Sequence, residues 1–123
     1  MNKITQEEKI QLDISIAYFM GWRIDNSFPD KDVVWRFNNH VELRTTMKFS
    51  TDWNALMDVF NKVNDLKGHS CQIQDNVFQI NTPSGFYTPR YEFKSLKEEI
   101  YLTLGEFLKE YNHEQFKAIQ AKL

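Results

Sequence analysis

The chain predicts an α+β fold in which three main helices cover a mainly antiparallel sheet built from hairpins, and three observations carry that reading. Capping boxes at Thr5-Gln6-Glu7-Glu8 and Ser95-Leu96-Lys97-Glu98 each precede an apolar stripe at helical spacing. A third stripe, Trp53, Leu56, Met57, Phe60 and Val63, follows Phe49-Ser50-Thr51-Asp52 with no spare residue between strand end and helix. Short runs of β-branched and aromatic residues, separated by turn residues, fill both intervals between the stripes. The order helix, strands, helix, strands, helix follows, and strands joined by hairpins pair antiparallel.

The first helix spans about residues 5 to 20, with Ile10, Ile14, Ala17 and Met20 on one face and Leu12, Ile16 and Phe19 on its flanks. Gly21 suits the left-handed position just past a helix end, and Trp22 supplies the apolar partner of such a cap. Residues 22 to 32 are turn-rich, with room for a short strand at Arg23 and Ile24. Val33 to Phe37 reads as a strand, Asn38-Asn39 as its turn and Val41 to Phe49 as the returning strand. Ser50 or Thr51 then caps the second helix, Asp52 favours the positive end of its dipole, and Trp53 is expected to be a core anchor.

That helix, over about residues 51 to 66, stops at Gly68. Ser70 to Gln74 and Asn76 to Asn81 form the next hairpin, turning near Asp75. Thr82-Pro83-Ser84-Gly85 breaks the pattern, and Phe86 to Phe93 is extended, with Pro89 at an edge or bulge. Leu96, Ile100, Leu104, Phe107, Leu108 and Tyr111 make the stripe of the last helix. Gly105 lies inside it, where glycine costs about 1 kcal/mol against alanine, so the close approach of a neighbouring backbone is the expected compensation. Phe116, Ile119 and Leu123 keep helical spacing in a tail over 112–123 that packs on the domain, pairs with another copy, or frays.

Met20-Gly21-Trp22 and the run Phe49-Ser50-Thr51-Asp52-Trp53-Asn54-Ala55 are short but unusual in combination. On them the chain resembles the phage ABA sandwich domain, a small family carried by phages and prophage-bearing bacteria, over about residues 5 to 111. The resemblance implies an α-β-α sandwich. It brings no known reaction and no catalytic residues.

A chain of 123 residues is long enough for one core and short for two, so 1–123 reads as a single domain. Lys and Arg number 15 against 17 Asp and Glu, a net charge of −2 without long blocks of either sign. Neither nucleic-acid binding by bulk charge nor acidic mimicry of DNA is expected from that balance. Cys71 is the only cysteine, the first residues lack the apolar core of a signal peptide, and no run approaches a membrane span. A cytoplasmic protein without membrane contact is the expectation.

Few residues suggest chemistry. His69 and Cys71 lie two apart, a conceivable nucleophilic pair, yet a lone strand cysteine is ordinarily a small buried hydrophobe. His40, His69 and His113 lack zinc-ligand spacing, and Asp25, Asp30 and Asp32 lack the glycine and terminal glutamate of a calcium loop. The glycines are scattered, so no phosphate loop exists and neither metal nor cofactor is expected. Trp22, Trp35 and Trp53 could form a stacking platform, but core packing is the stronger reading, and only Trp35, with Arg36 beside it, is kept as a candidate for outward presentation.

The segment Gly85 to Tyr91 mixes aromatics with a guanidinium, which makes Tyr87, Arg90 and Tyr91 the other candidate contact residues, although Arg90 falls on the opposite strand face. The ordinary alternative is an edge strand whose alternate aromatics face the core. A non-enzymatic protein that binds an unknown protein partner or itself is the leading expectation. A small-ligand binder, taking a nucleotide or metabolite between aromatics and Arg36, Arg44 or Arg90, is the alternative.

Overall fold

The computed structural model describes residues 3–25, 34–37, 39–43, 48–75, 77–88 and 91–113. Along these the order is α1 (Gln6–Phe19), β1 (Arg23–Ile24), β2 (Val34–Phe37), β3 (His40–Leu43), α2 (Trp53–Asn64), β4 (Ser70–Gln74), β5 (Val77–Thr82), β6 (Gly85–Tyr87) and α3 (Leu96–Tyr111). The fold is an α+β sandwich in which the strands form two three-stranded antiparallel sheets, β1-β2-β3 and β4-β5-β6. Val33, Pro89, Arg90, Arg44 and the tail residues Phe116, Ile119 and Leu123 lie outside the described residues, as do Asp30 and Asp32.

Each helix begins where its side chains can satisfy the free N–H groups of a first turn. Thr5 Oγ1 accepts from the Glu8 N–H at 3.1 Å while Glu8 Oε1 accepts from the Thr5 N–H at 3.0 Å, closing a capping box. Ser95 Oγ accepts from the Glu98 N–H at 3.1 Å. On α2 the cap is Asp52 rather than Ser50 or Thr51, its Oδ1 accepting from the Asn54 N–H at 2.8 Å. A carboxylate at that position answers both the free N–H and the helix dipole.

The end of α1 is a paired closure. Gly21 takes φ +101°, its N–H bonds the Tyr18 carbonyl at 3.1 Å, and the Trp22 N–H reaches back to Ala17 at 3.0 Å. Arg23 Nη1 donates to the carbonyls of Tyr18 and Trp22, and Lys62 Nζ to that of Phe19, so two cations sit at the negative end of the helix.

The innermost element is α3, buried continuously from Glu99 to Leu108, and α1 packs along it. At Gly105 they pack tightly, for a Cβ there would lie 2.8 Å from Leu12 Cβ; the space is taken by a side chain rather than by the neighbouring backbone expected. Between α3 and β5, Ile80 and Phe78 form the inner face of the second sheet, opposite Cys71 and Ile73 of β4. Asp75, at φ 53°, turns that hairpin.

On α2 the buried side chains are Leu56, Val59 and Val63, with Phe60 partly buried. Trp53 is not the expected anchor, for it is 44% exposed. At about 100° per residue Leu56, Val59, Phe60 and Val63 fall within an arc of about 100°, and Trp53 stands on its flank. Among the described residues no helix is long and apolar enough to cross a membrane.

Candidate functional site

Four elements meet around one cavity of about 370 Å³, and they bring together both distinctive words of the sequence. The closure after α1 places Met20 and Trp22 on one wall, and the turn before α2 brings Lys48 and Phe49. Asp52, Ala55 and Asp58 follow at intervals of three, which sets them on one side of the first helical turns. Phe37 and Glu42 complete it from β2 and β3.

Strand alternation explains those last two. Trp35 and Phe37 share a face of β2, and their partners Glu42 and His40 share it on β3. Trp22 packs against Phe37 at 5.8 Å between centroids and edge-on to His40 at 5.6 Å, while Phe37 stays 41% exposed. His40 Nε2 lies 3.8 Å from Glu42 Oε1, an outlying contact that leaves the Glu42 carboxylate one-third exposed. The cavity therefore has aromatic walls and an acidic rim.

Of the residues singled out in the sequence, Trp35 is fully buried, which corrects its place among the surface candidates and agrees with the core-packing alternative. Alternation sends its neighbour Arg36 outward instead, where Nη2 and Nε bind Asp25 Oδ2 at 2.5 and 2.7 Å. The Trp35 indole N–H has no acceptor among the described residues. Arg90 lies outside them.

Tyr87 and Tyr91 do share a direction, but it is toward the helices. Tyr87 pairs with buried Ile80, stands edge-on to Phe107 at 5.3 Å and donates its phenol proton to Glu110. The Tyr91 hydroxyl lies 2.8 Å from Glu8 Oε2 and 3.1 Å from Glu106 Oε1. A phenol has one proton to give, so the two carboxylates compete for it and Tyr91 ties α1 to α3. Glu99, on the same side of α3, accepts the Phe78 N–H at 2.9 Å, and among the described residues β6 pairs along Ile80–Thr82. This polar seam is structural: it fastens the central strand β5 and the edge strand β6 of the second sheet to α3.

Electrostatics make the seam sensitive to pH. Burial, then the hydrogen bond to Glu8 and the charge of Glu106, raises the Tyr91 phenol above its ordinary 10. Burial and Asp13, at 2.6 Å, raise Tyr101 likewise. The Thr5 N–H, and after it Tyr91, holds Glu8 below 4.5. A raised phenol favours the fold below pH about 10 and loses that contribution as pH climbs through the folded value; the lowered Glu8 contributes above its ordinary value and loses it as pH falls. Thermal melts against pH are thus expected to decline at both extremes, with delayed phenolate absorbance for Tyr91 and Tyr101. Phenols that all ionise near pH 10 would contradict this assignment.

The Cys71–His69 pairing does not form a nucleophile. Cys71 Sγ points at the Phe60 carbonyl at 3.7 Å, and burial pushes the thiol up to about 12. His69 instead bonds the Lys67 carbonyl through Nδ1 at 2.9 Å and stands edge-on to Phe107 and Tyr111. No group of three or more His, Cys, Asp or Glu among the described residues is arranged to hold a metal ion.

Sequence reasoning passed over Phe37, Glu42, Lys48 and Asp58 because their chain positions are distant and their types ordinary. It also passed over Phe86, 66% exposed on the outer sheet face opposite Asn81. Alternation about the inward Tyr87 was the available signal for it. Compared with models of protein families, with curated proteins and with solved structures, the chain matches none.

Proposed function

We propose that this protein is a non-enzymatic accessory protein of a phage or prophage, working in the cytoplasm, that acts by binding a host protein or a second copy of itself. The phage setting rests on the resemblance of Met20-Gly21-Trp22 and Phe49 to Ala55. What supports binding is that these two segments converge on one cavity, where partly buried Trp22 and exposed Phe37 are the kind of aromatic surface on which contacts concentrate.

Phe37→Ala is expected to abolish capture of a partner from host lysate, or self-association by sedimentation, while the fold persists. Phe86→Ala, on an exposed surface elsewhere, is expected to leave both intact and to change stability by about 0.5 kcal/mol or less. No partner together with a strictly monomeric mass would remove the proposal, and equal effects of the two variants would move the surface away from the cavity.

A small-ligand role is the second reading, favoured by the cavity's 370 Å³, a volume suited to a metabolite. Three carboxylates on its rim disfavour phosphates, so a nucleotide is the less fitting ligand. Saturating ligand at about a hundred times its dissociation constant adds ~2.7 kcal/mol of stability, so a melting temperature unmoved across a metabolite panel would count against this role.

A further inference from the structure

The walls and rim of this cavity have a definite chemical preference. Trp22, Phe37 and Phe49 present aromatic rings, whose faces carry negative potential. Among the described residues Glu42, Asp52 and Asp58 stand around them with Lys48 as the opposing cation, so that three carboxylates face one ammonium, and His40 lies beside Glu42 at 3.8 Å. Among the described residues Lys48 makes no ion pair with any of them.

Aromatic faces and carboxylates attract the same kind of group. A guanidinium or ammonium stacks on a ring by cation–π attraction and meets a carboxylate at its edge. The carboxylates do not converge on one point as ligands of a metal ion would, and they border a space the size of an organic group. Asp52 spends one oxygen on the α2 cap, through the Asn54 and Ala55 N–H groups, whereas among the described residues Glu42 has the 3.8 Å contact with His40 and Asp58 caps no helix.

We infer that this cavity is a binding site for an organic cation, supplied as the guanidinium or ammonium of a basic side chain on the bound protein. This deepens the binding role proposed above and rests on it. A planar guanidinium suits the site better, because it can stack on Trp22 or Phe37 while its edge faces Glu42 or Asp58.

The test uses the full chain and N-acetylarginine amide, followed by the NMR shift of the Trp22 indole N–H. The citrulline analogue, equal in shape but uncharged, serves as its control. Saturable binding with a dissociation constant about millimolar is expected for the arginine compound, weakening with salt. The Glu42→Gln/Asp58→Asn double variant is expected to weaken it about fivefold or more with an unchanged melting profile.

No shift with the arginine compound, equal binding of citrulline, or indifference to the double variant would each overturn the inference. Tight binding of free spermidine that excludes an arginine-containing peptide would overturn the protein source of the cation. If Phe37→Ala abolishes partner capture while the double variant retains it, the binding role stands and the cation site falls.

Discussion

Trp35→Ala is expected to cost about 3–5 kcal/mol, enough to unfold a large part of the population of a domain whose total stability is of the order of 5–15 kcal/mol. The side chain is fully enclosed, the largest in the core, and its removal leaves a space that short strands cannot close by shifting. Trp53→Ala is expected to cost about 1 kcal/mol or less, since that ring is 44% exposed and merely flanks the buried arc of α2. Urea denaturation of the two variants side by side decides the matter. A larger loss at Trp53 than at Trp35 would mean that their positions relative to the core are reversed. Trp35→Phe is expected to be milder than Trp35→Ala, because it keeps most of the ring volume and deletes an indole N–H without an acceptor among the described residues.

Gly105→Ala is the second large effect, expected as a loss of about 1–3 kcal/mol at a position where helix propensity alone predicts a gain of about 1 kcal/mol. The added methyl would lie 2.8 Å from Leu12 Cβ and 3.1 Å from Cγ and Cδ1. Cβ is the root of the leucine side chain, so rotation cannot move it aside and α1 must separate from α3. A double-mutant cycle tests the cause: Leu12→Ala alone should cost about 2–5 kcal/mol, and the pair should cost clearly less than the sum. Strict additivity would show that the two residues do not press on one another, and a stabilised Gly105→Ala would remove the close approach altogether.

How far the chain could be read in advance depends on the range of the interactions involved. The capping box at Thr5 and Glu8, the cap at Ser95 and the Gly21-Trp22 closure join residues at most five apart, and all were legible. The cap of α2 shifted by one or two positions to Asp52 because neighbouring side chains compete for the same N–H, and the geometry of the preceding turn settles such a competition. Strand runs were legible too, while Trp35 was misassigned because period-2 alternation relates residues to each other without saying which face is inward.

The sequence by itself determined the order of helices and strands, the caps at Thr5 and Ser95, the Gly21 closure and the need for a close neighbour at Gly105, since each follows from local hydrogen bonding, periodicity or backbone freedom. Only the tertiary structure decided that Trp35 lies inside and Trp53 outside, and that Tyr91 is shared by two carboxylates from helices at opposite ends of the chain. It alone brought Trp22, Phe37, Glu42, Phe49 and Asp58 around one cavity. The physical reason is the same in each case: burial and convergence are set by which faces of distant elements press together, a property of packing between segments that no single segment encodes.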